Sequence, residues 1–414
     1  MGETIVLAYS GGLDTSVATK WLQEARGYEV VCLMVDLGRL PDVDSARERG
    51  LKAGALAVDV VDAKEDFLRF FVYPALGAGA VYEGSYPLAT ALGRPLIAKL
   101  LVDKAREVGA TAVAHGCTGK GNDQVRFDVS IRALGPDLKV VGTARENLMN
   151  RDEAIAYAER HGIPIKQTVA SPYSTDENLW GRSVEAGMLE DPWMEPPEEV
   201  YAWTKPVRAT PEEPAYVTIR FDHGAPVALD GEELRAVELV ERLNALAGEH
   251  GVGRIDMVED RLVGIKSREI YESPAAVTLL EAHRSLEALT LTKLQLRFKE
   301  RVAQEYADLI YNGLWFTAHH QDLAAYVQST QRHVTGEVRM RLHRGTATAV
   351  GRQSERSLYS HALATYSEGD QFDQSAALGF IKLHGLPVEV QARRQLMLDA
   401  KDDDPLRLGT VGEE

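Results

Sequence analysis

The chain has little cysteine, a deficit of positive charge and no long apolar runs. Its 414 residues include two cysteines, Cys32 and Cys117, and 46 Lys and Arg against 62 Asp and Glu, for a formal net charge of −16. Two cysteines provide neither a disulfide framework nor the spacing of a zinc site, and acidity argues against a broad nucleic-acid surface. No apolar run reaches the roughly 18 residues of a membrane span, and no signal-peptide pattern opens the chain. These absences predict a cytoplasmic protein that binds neither nucleic acid nor membrane.

The first 165 residues alternate between strand and helix patterns. Continuous apolar runs are typical of parallel strands covered on both faces, and apolar residues at helical spacing lie between them. The predicted strands are Thr4–Tyr9, Val30–Val35, Ala55–Val61, Thr111–His115 and Lys139–Val141, and the predicted helices are Thr15–Arg26, Asp42–Gly54, Asp62–Val72, Arg94–Val108 and Asn150–His161. This order predicts a doubly wound α/β domain that binds its ligands at the carboxyl ends of the strands, where Ser10, Asp36 and Gly116 fall.

The composition changes after residue 165. Residues 166–214 contain seven prolines, which indicates a linker or an ordered functional loop. Beyond them we predict strands at Tyr216–Phe221, Arg254–Val258 and Glu337–Leu342, and helices at Glu233–Ala247, Pro274–Ala288, Lys293–Asn312 and Asp373–His384, with a disordered acidic tail from Asp399. At 414 residues the chain exceeds one ordinary core. We therefore predict an α/β domain over residues 1–165, a mixed α+β domain over 166–365, and a C-terminal helix and tail over 366–414.

The segment from Ala8 to Ser16, with the sequence AYSGGLDTS, lies between the first strand and the first helix. Glycines let the backbone approach a phosphate closely, and free N–H groups at a helix N-terminus point toward it. Ser10, Thr15 and Ser16 add hydroxyl donors. No Gly-Lys-Ser/Thr follows, so the segment is not a Walker A loop. It resembles the pyrophosphate-binding loop of the N-type ATP pyrophosphatases, which cleave ATP between the α and β phosphates.

A second polar loop follows the fourth predicted strand, with the sequence HGCTGKGNDQVRF from His115 to Phe127. Taken alone, a glycine-rich loop is most often a solvated turn. In a doubly wound fold, however, this loop faces the first one across the cleft. Two facing polar loops predict a site for several charged small molecules.

Both loops resemble those of the argininosuccinate synthetases. The similarity runs from residue 4 to about residue 394 and includes six further stretches. These are Tyr82–Gly84, Arg94–Lys99, Ser174–Trp180, Leu189–Trp193, Gly251–Arg261 and Lys266–Glu272. The resemblance implies that the chain joins citrulline to aspartate with ATP, through an adenylated citrulline, and releases AMP and pyrophosphate. It also implies a homotetramer. The sequence shows no metal-ligand cluster, so we expect no protein-bound metal, and Mg²⁺ would arrive with ATP.

The resemblance also assigns residues by motif. Those implied to bind ATP are Ala8, Tyr9, Ser10, Gly11, Gly12, Leu13, Asp14, Thr15, Ser16, Val35 and Gly116. Those implied to bind citrulline or aspartate are Tyr86, Thr118, Asn122, Asp123, Arg126, Ser174, Ser183, Glu259 and Tyr271. No protein nucleophile is expected, because positioning and electrostatics carry such a reaction. Asp14, Lys120 and Asp123 are the candidates for a more direct catalytic role.

The chain departs from the family pattern at Ala91, where relatives have a serine that contacts citrulline. One lost hydrogen bond of this kind is worth roughly 0.5–1.5 kcal/mol. Other enzymes with the first loop, such as tRNA thiolases, NAD synthetases and GMP synthetases, are alternatives, as is a regulatory protein that senses ATP without turnover. A thiolase needs a sulfur-carrying cysteine pair, and an amidotransferase needs a glutaminase domain; neither is apparent. A sensor does not explain a loop that carries both Asp123 and Arg126.

Overall fold

The computed structural model describes residues 2–40, 42–147, 149, 151–164 and 172–396. By its internal contacts the chain divides into two compact units, residues 1–358 and residues 359–414. The first unit contains three β-sheets and the hydrophobic cores.

The first sheet is parallel, with the strand order β3-β2-β1-β4-β5. Its central strands are almost fully apolar and buried, as expected where helices cover both faces. The strands are β1 (Thr4–Ala8), β2 (Glu29–Asp36), β3 (Ala57–Asp62), β4 (Ala112–His115) and β5 (Lys139–Gly142). The helices of this region are α1 (Leu13–Arg26), α2 (Val43–Lys52), α3 (Lys64–Phe67), α4 (Tyr73–Ala78), α5 (Ala89–Glu107), α6 (Asn122–Leu134), α7 (Thr143–Asn147) and α8 (Arg151–Arg160), with a π-helical turn at Leu68–Val72.

The order of the strands reverses between β1 and β4, which are neighbours in the first sheet. In open α/β sheets such a switch point creates a crevice at the carboxyl ends of the two strands. The loop after β1 contains Ser10, and the loop after β4 contains Gly116. The topology therefore brings together the two loops that the sequence singled out.

The rest of the first unit is built on two antiparallel sheets, with the orders β10-β9-β8-β13-β14 and β11-β12-β7-β6. Their strands are β6 (Ser174–Asn178), β7 (Gly181–Glu185), β8 (Ala215–Asp222), β9 (Ala225–Leu229), β10 (Glu232–Glu233), β11 (Arg254–Asp260), β12 (Lys266–Glu272), β13 (Gly336–His343) and β14 (Thr346–Gln353). Four helices accompany them: α9 (Ala236–Glu249), α10 (Pro274–Thr290), α11 (Lys293–Tyr311) and α12 (Ala318–Gln331). Short 3₁₀ helices occur at Gly187–Glu190, Glu198–Val200 and Val207–Ala209.

Helix α5 joins the parallel sheet to the β11-β12-β7-β6 sheet. It contacts β1, β2 and β4 on one side and β6 and β7 on the other. Leu88, with φ +65°, precedes it, and Pro95 lies within it. This position places Thr90 and Arg94 of α5 between the two sheets, beside the crevice.

Several predicted elements differ from the structure. Asp62 ends β3, so the predicted helix over Asp62–Val72 begins at Lys64. The helix predicted from Glu233 begins at Ala236, because Glu232 and Glu233 pair with β9 as a short strand. The described part of the predicted proline-rich linker contains β6 and β7. Asn150 and the tail from Asp399 lie outside the described residues. The strands β9, β12 and β14 and the helices α4, α6, α7 and α12 were not predicted. Because α6 begins at Asn122, the second polar loop ends there and not at Phe127.

The second unit, in its described part, contains α13 (His361–Ala364), α14 (Gln374–Gln391) and a π-helical turn at Ala392–Leu396. The Asp373 side chain accepts hydrogen bonds from the backbone N–H groups of Ser375 and Ala376, which caps α14 at its N-terminus. The predicted C-terminal helix is thus present and extends beyond His384.

Candidate active site

The loop after β1 forms a tight turn into α1. Gly11 has φ +76°, and a Cβ atom there would lie 2.5 Å from the Cβ of Ala46, so only glycine fits. Gly12 precedes the helix without a side-chain cap, which leaves first-turn N–H groups for an anion. The hydroxyls of Ser10 and Thr15 lie 3.1 Å apart at this turn. The turn therefore presents backbone and hydroxyl donors together, as phosphate binding requires.

A cavity of about 730 Å³ opens at the crevice. Both loops and the ends of β1 and β2 form its walls, together with part of β6. Its lining includes Ala8, Tyr9, Ser10, Asp14, Thr15, Val35, Leu37, Arg39, Arg94, Ile97, His115, Gly116, Cys117, Phe127, Thr175, Asp176 and Glu177. Apolar side chains beside a hydroxyl-bearing helix N-terminus suit a nucleotide, with its flat base and its phosphates.

Hydrogen bonds from α6 and α7 hold the second loop in place. Gln124 donates to the carbonyl of Gly119 at 2.5 Å, and Arg145 donates to Gln124 at 3.1 Å. The Nδ1 atom of His115 accepts from the N–H of Cys117 at 3.2 Å, so the ring proton is on Nε2, which donates to Asp128 at 2.8 Å. The loop therefore has a supporting network of its own.

A second cavity, of about 230 Å³, lies on the other side of this loop. Residues of the second loop, of α5, α6, β6, β7, β11 and β12, and of the segments next to α5 and β11 line it. They are Tyr86, Thr90, Gly116, Cys117, Thr118, Gly121, Asn122, Asp123, Arg126, Asp176, Ser183, Glu185, Glu259, Arg261, Glu269 and Tyr271. Gly116, Cys117 and Asp176 line both cavities, so the two spaces meet at these residues.

Paired charges dominate the wall between the two cavities. Arg94 contacts Asp176 and donates to Asp123 at 2.7 Å, and Arg126 donates to the other oxygen of Asp123 at 2.9 Å. Burial would raise the pKa of Asp123, but the two guanidinium groups outweigh it and lower that pKa to about 2. Asp123 is therefore ionised at neutral pH, and both arginines are charged.

Three tyrosines surround a buried carboxylate in the smaller cavity. The hydroxyls of Tyr271 and Tyr311 donate to Glu259 at 2.6 and 2.5 Å, and Glu259 is only 2% exposed. Burial raises the pKa of Glu259, and the two hydroxyl donors partly offset this. Tyr86 stacks on Tyr271 with the ring centroids 4.1 Å apart. This arrangement places a carboxylate among tyrosine side chains in the wall of the smaller cavity, which is suited to an ammonium group.

A further ionic cluster joins β7, β11 and β12 at the same cavity. Arg261 contacts Glu185 and donates to Glu269 at 2.7 Å. Burial raises the pKa of Glu269, and the neighbouring Glu185 carboxylate raises it further. Glu269 therefore keeps its proton at pH values where an exposed glutamate is ionised.

The structure brings most of the predicted site residues together. Those of the larger cavity are Ala8, Tyr9, Ser10, Asp14, Thr15, Val35 and Gly116; those of the smaller one are Tyr86, Thr118, Asn122, Asp123, Arg126, Ser183, Glu259 and Tyr271. Gly11, Gly12, Leu13 and Ser16 belong to the turn and the first turn of α1 without lining the cavity. Ser174 and Lys120 are exposed and line neither cavity.

Sequence reasoning missed several charged residues of the site, namely Arg94, Asp176, Glu185, Arg261 and Glu269. A signal for some of them was present. Glu185, Arg261 and Glu269 each lie two positions from a predicted site residue on a β-strand, and alternate strand residues share a face. Likewise, Arg94 lies on α5 four residues after Thr90, which lines the smaller cavity, and this is the spacing of one helix face.

Two features are absent from the residues that the structure describes. Among them, no helix is both long and apolar enough to cross a membrane. Within the same residues, no group of three or more His, Cys, Asp and Glu side chains is arranged to hold a metal ion.

The comparisons with known proteins agree with one another. The arginosuccinate synthase N-terminal HUP domain model matches residues 4–164, and the C-terminal domain model of that family matches residues 173–391. Relatives named argininosuccinate synthase include one from Dehalococcoides mccartyi, which is 55% identical over 96% of this chain and 98% of the relative. One from Rubrobacter xylanophilus is 58% identical over 93% of this chain and 94% of the relative. One from Gloeobacter violaceus is 58% identical over 94% of this chain and 98% of the relative.

Among solved structures, the U34-tRNA thiolase NcsA from Methanococcus maripaludis matches 42% of this chain and 61% of its own. The sequence identity is 16% and the TM-score 0.26, which is too low for this likeness to carry an argument. The two family models and the near full-length relatives show instead that the chain belongs to the argininosuccinate synthase family.

Proposed function

We propose that this protein joins L-citrulline and L-aspartate into argininosuccinate and converts ATP to AMP and pyrophosphate, as the names of its relatives imply. The observation that carries this proposal is the meeting of two cavities at Gly116, Cys117 and Asp176. One cavity has the features of a nucleotide site, and the other is lined by buried charges. A reaction that transfers AMP onto an amino acid needs such a junction.

In the larger cavity, the turn from Ser10 to Thr15 is assigned to the phosphates and Val35 to the adenosine. The hydroxyls of Ser10 and Thr15 and the first N–H groups of α1 supply hydrogen-bond donors without a fixed charge. The donors point toward the crevice from a turn that Gly11 holds close to Ala46. The ATP would thus lie with its α-phosphate toward the second loop.

In the smaller cavity, Glu259 is assigned to the α-ammonium group of citrulline and Arg126 to a carboxylate. The Nη2 atom of Arg126 is buried and donates to no residue that the structure describes, although the Nε atom donates to the carbonyl of Tyr311 at 2.8 Å. A carboxylate would satisfy that free donor. Tyr86, Ser183 and Tyr271 complete the assigned citrulline site, and Thr118, Asn122 and Asp123 are assigned to aspartate.

The chemistry proceeds in two displacements. The ureido oxygen of citrulline attacks the α-phosphorus, an O–P bond forms, and pyrophosphate leaves with the electrons of the broken P–O bond. The aspartate amine, after losing a proton, then attacks the ureido carbon, and AMP leaves with the electrons of the C–O bond. The enzyme's part is to align the reacting atoms and to balance phosphate charge, which accounts for a site of paired charges without a nucleophile.

Magnesium is part of the proposal as the partner of ATP. The donor set fits an ion carried by phosphate and water, because Asp14 is an exposed carboxylate in the larger cavity next to the Ser10 and Thr15 hydroxyls. Mg²⁺ prefers oxygen ligands and keeps several waters, and it neutralises phosphate charge when bound. A cytoplasmic location and a homotetrameric assembly complete the proposal.

A direct test measures pyrophosphate release from ATP with citrulline and aspartate, supplied together and singly. We expect rapid release and argininosuccinate formation with both amino acids, a single turnover with citrulline alone, and background release with aspartate alone. Absence of pyrophosphate under all three conditions would refute the proposal. Dependence on a tRNA or on ammonia instead of aspartate would favour the alternative enzymes that share the first loop.

A further inference from the structure

Arg94 lies between the two cavities and belongs to neither the proposed ATP site nor the proposed amino-acid site. Arg94 lines the larger cavity and lies on α5, a helix that contacts both the parallel sheet and the sheet with β6 and β7. Its guanidinium contacts Asp176, which lines both cavities, and Asp123, which lines the smaller one. Arg94 therefore contacts the junction of the two cavities, where the substrates must meet, through Asp176.

The four arginines that line the cavities differ in what surrounds them. Arg39 is exposed and lies over the ring of Trp203, with 4.9 Å to the ring centroid. Arg261 lies within the Glu185 and Glu269 cluster, and Arg126 packs against Tyr311. Of these four, only Arg94 both lines the larger cavity and contacts Asp176, a residue that lines both cavities.

The hydrogen bonds of Arg94 leave part of its guanidinium free. One nitrogen, Nη2, serves both Asp123 and Asp176, whereas the buried Nε donates to none of the described residues. Burial opposes the charge of Arg94, but the two carboxylates outweigh it and raise the pKa of Arg94. The guanidinium of Arg94 thus keeps its charge between the two carboxylates, and its buried Nε–H has no partner among the described residues.

We propose that Arg94 is a catalytic residue that donates to the α-phosphate of ATP and stabilises the negative charge that builds up there as the ureido oxygen attacks. This inference rests on the proposed function. In the transfer the O–P bond forms, the bond from phosphorus to the α,β-bridging oxygen breaks, and pyrophosphate takes that electron pair. The ureido group, left with a positive charge, loses a proton to solvent water. Arg94 itself neither gains nor loses a proton.

The two carboxylates have a distinct part in this arrangement. Asp123 and Asp176 hold the guanidinium from two elements, α6 and β6, that the fold brings to α5. A preoriented cation costs little reorganisation during the reaction, which is the condition for strong electrostatic catalysis. Asp176 is a positioning residue in this proposal.

The test separates adenylation from ligation. Arg94→Met and Arg94→Lys are assayed in single turnovers with ATP and citrulline but without aspartate, and pyrophosphate is followed by rapid quench. We expect Arg94→Met to slow this step by about 10²–10³-fold and to change the Kd of ATP by less than about fivefold. Arg94→Lys keeps the charge but loses the forked donors, so it should fall between Arg94→Met and the wild type.

Added guanidinium at millimolar concentration should restore part of the rate of Arg94→Met and leave the wild type unchanged. A merely structural arginine would not respond in this way. Arg106→Met is the matched control, because Arg106 is an exposed arginine of the same helix that donates to the carbonyl of Leu134. We expect wild-type rates for it.

Three results would overturn the inference. The first is a wild-type rate of adenylation in a folded Arg94→Met or Arg94→Lys enzyme. The second is a defect confined to the KM of aspartate, which would mean that Arg94 only orients Asp123. The third is loss of ATP binding in a folded Arg94→Lys enzyme. A wild type that releases no pyrophosphate with citrulline would instead refute the proposed function.

Discussion

The two cavities are built in opposite ways. The wall of the larger cavity, which we assign to ATP and call the nucleotide wall, consists mainly of two short loops of the parallel sheet, with glycines, hydroxyls and helix N–H groups. The wall of the smaller cavity, which we assign to the amino acids and call the amino-acid wall, takes residues from the second loop, α5, α6, β6, β7, β11 and β12. Many of them are buried charges in contact with one another. The difference teaches that a ligand class can be encoded locally, whereas discrimination between small zwitterions is distributed over the chain. It also predicts that substitutions in the two walls behave differently.

The largest expected effect comes from Arg126→Ala in the amino-acid wall. The change removes two hydrogen bonds of a 3%-exposed guanidinium, to Asp123 and to Tyr311. Loss of charge-assisted bonds to the substrate is worth about 4 kcal/mol, so kcat/KM for citrulline should fall about 10³-fold. Tm should also fall, because Asp123 loses one of its two partners.

The same variant should leave the Kd of ATP nearly unchanged, as measured by equilibrium binding of a non-hydrolysable analogue. Arg132→Ala, an exposed arginine in the last turn of α6, is the control and should behave as wild type. If Arg126→Ala lost nucleotide binding in a folded protein, the division into two walls would be wrong.

A second prediction concerns the nucleotide wall. Gly11→Ala places a Cβ at φ +76° and 2.5 Å from Ala46, so the turn must shift. We expect the KM of ATP to rise about 10²-fold, the equivalent of about 2.7 kcal/mol, with a small change in the KM of citrulline. Gly12→Ala is the matched variant. Its φ is −81°, and the nearest atom, the Ser10 hydroxyl, lies 3.4 Å from the added Cβ.

Steady-state kinetics with each substrate varied in turn would check this pair. The comparison predicts a much smaller effect for Gly12→Ala than for Gly11→Ala. Equal effects would mean that contact with phosphate, and not backbone conformation, makes glycine necessary at both positions.

A third prediction concerns the pH dependence of stability that arises from Glu269 in the amino-acid wall. Burial and Glu185 raise the pKa of Glu269 to about 9 from an ordinary value of 4.5. Between these values the folded state binds a proton that the unfolded state has released, so this carboxyl makes the protein less stable as the pH rises. Each unit of raised pKa corresponds to about 1.4 kcal/mol.

Glu269→Gln removes this dependence. As the pH rises from 5 to 9, we expect the free energy of unfolding of the variant to gain at least about 1 kcal/mol relative to the wild type. Denaturant unfolding at several pH values measures this difference. Glu305→Gln, at an exposed carboxylate, should show no such gain. A difference that shrinks as the pH rises would contradict the assignment of a protonated Glu269.

The smallest predicted effect comes from Ala91→Ser. Ala91 is fully buried in α5 next to Thr90, whose hydroxyl lies 2.6 Å from that of Tyr86 at the smaller cavity. A hydroxyl at position 91 adds the donor that the family resemblance implies at this position, so the KM of citrulline should fall about three- to tenfold. Ala98→Ser, in the same helix and also buried, is the control. An unchanged or higher KM for Ala91→Ser would contradict the prediction.

The parallel sheet and the first loop were predictable because their signals are local. Continuous apolar runs mark β1, β2 and β4, and the turn glycines follow β1 directly. By contrast, β6 and β7 have the sequences STDEN and GRSVE, which lack the alternation of a half-buried strand. These strands form because β12 and α5 flank them. Helix α12 was missed for a related reason, since its apolar residues are few and irregularly spaced.

The sequence by itself determined the class of nucleotide chemistry, the parallel α/β architecture and the family. A strand, a glycine turn and a helix are contiguous, so local backbone preferences encode an anion site without reference to the rest of the chain. Only the tertiary structure decided which charges pair, and that Arg94 lies between Asp123 and Asp176, which are 29 and 82 residues away. The strength of an ion pair depends on distance and burial, and these exist only after the sheets have packed on α5.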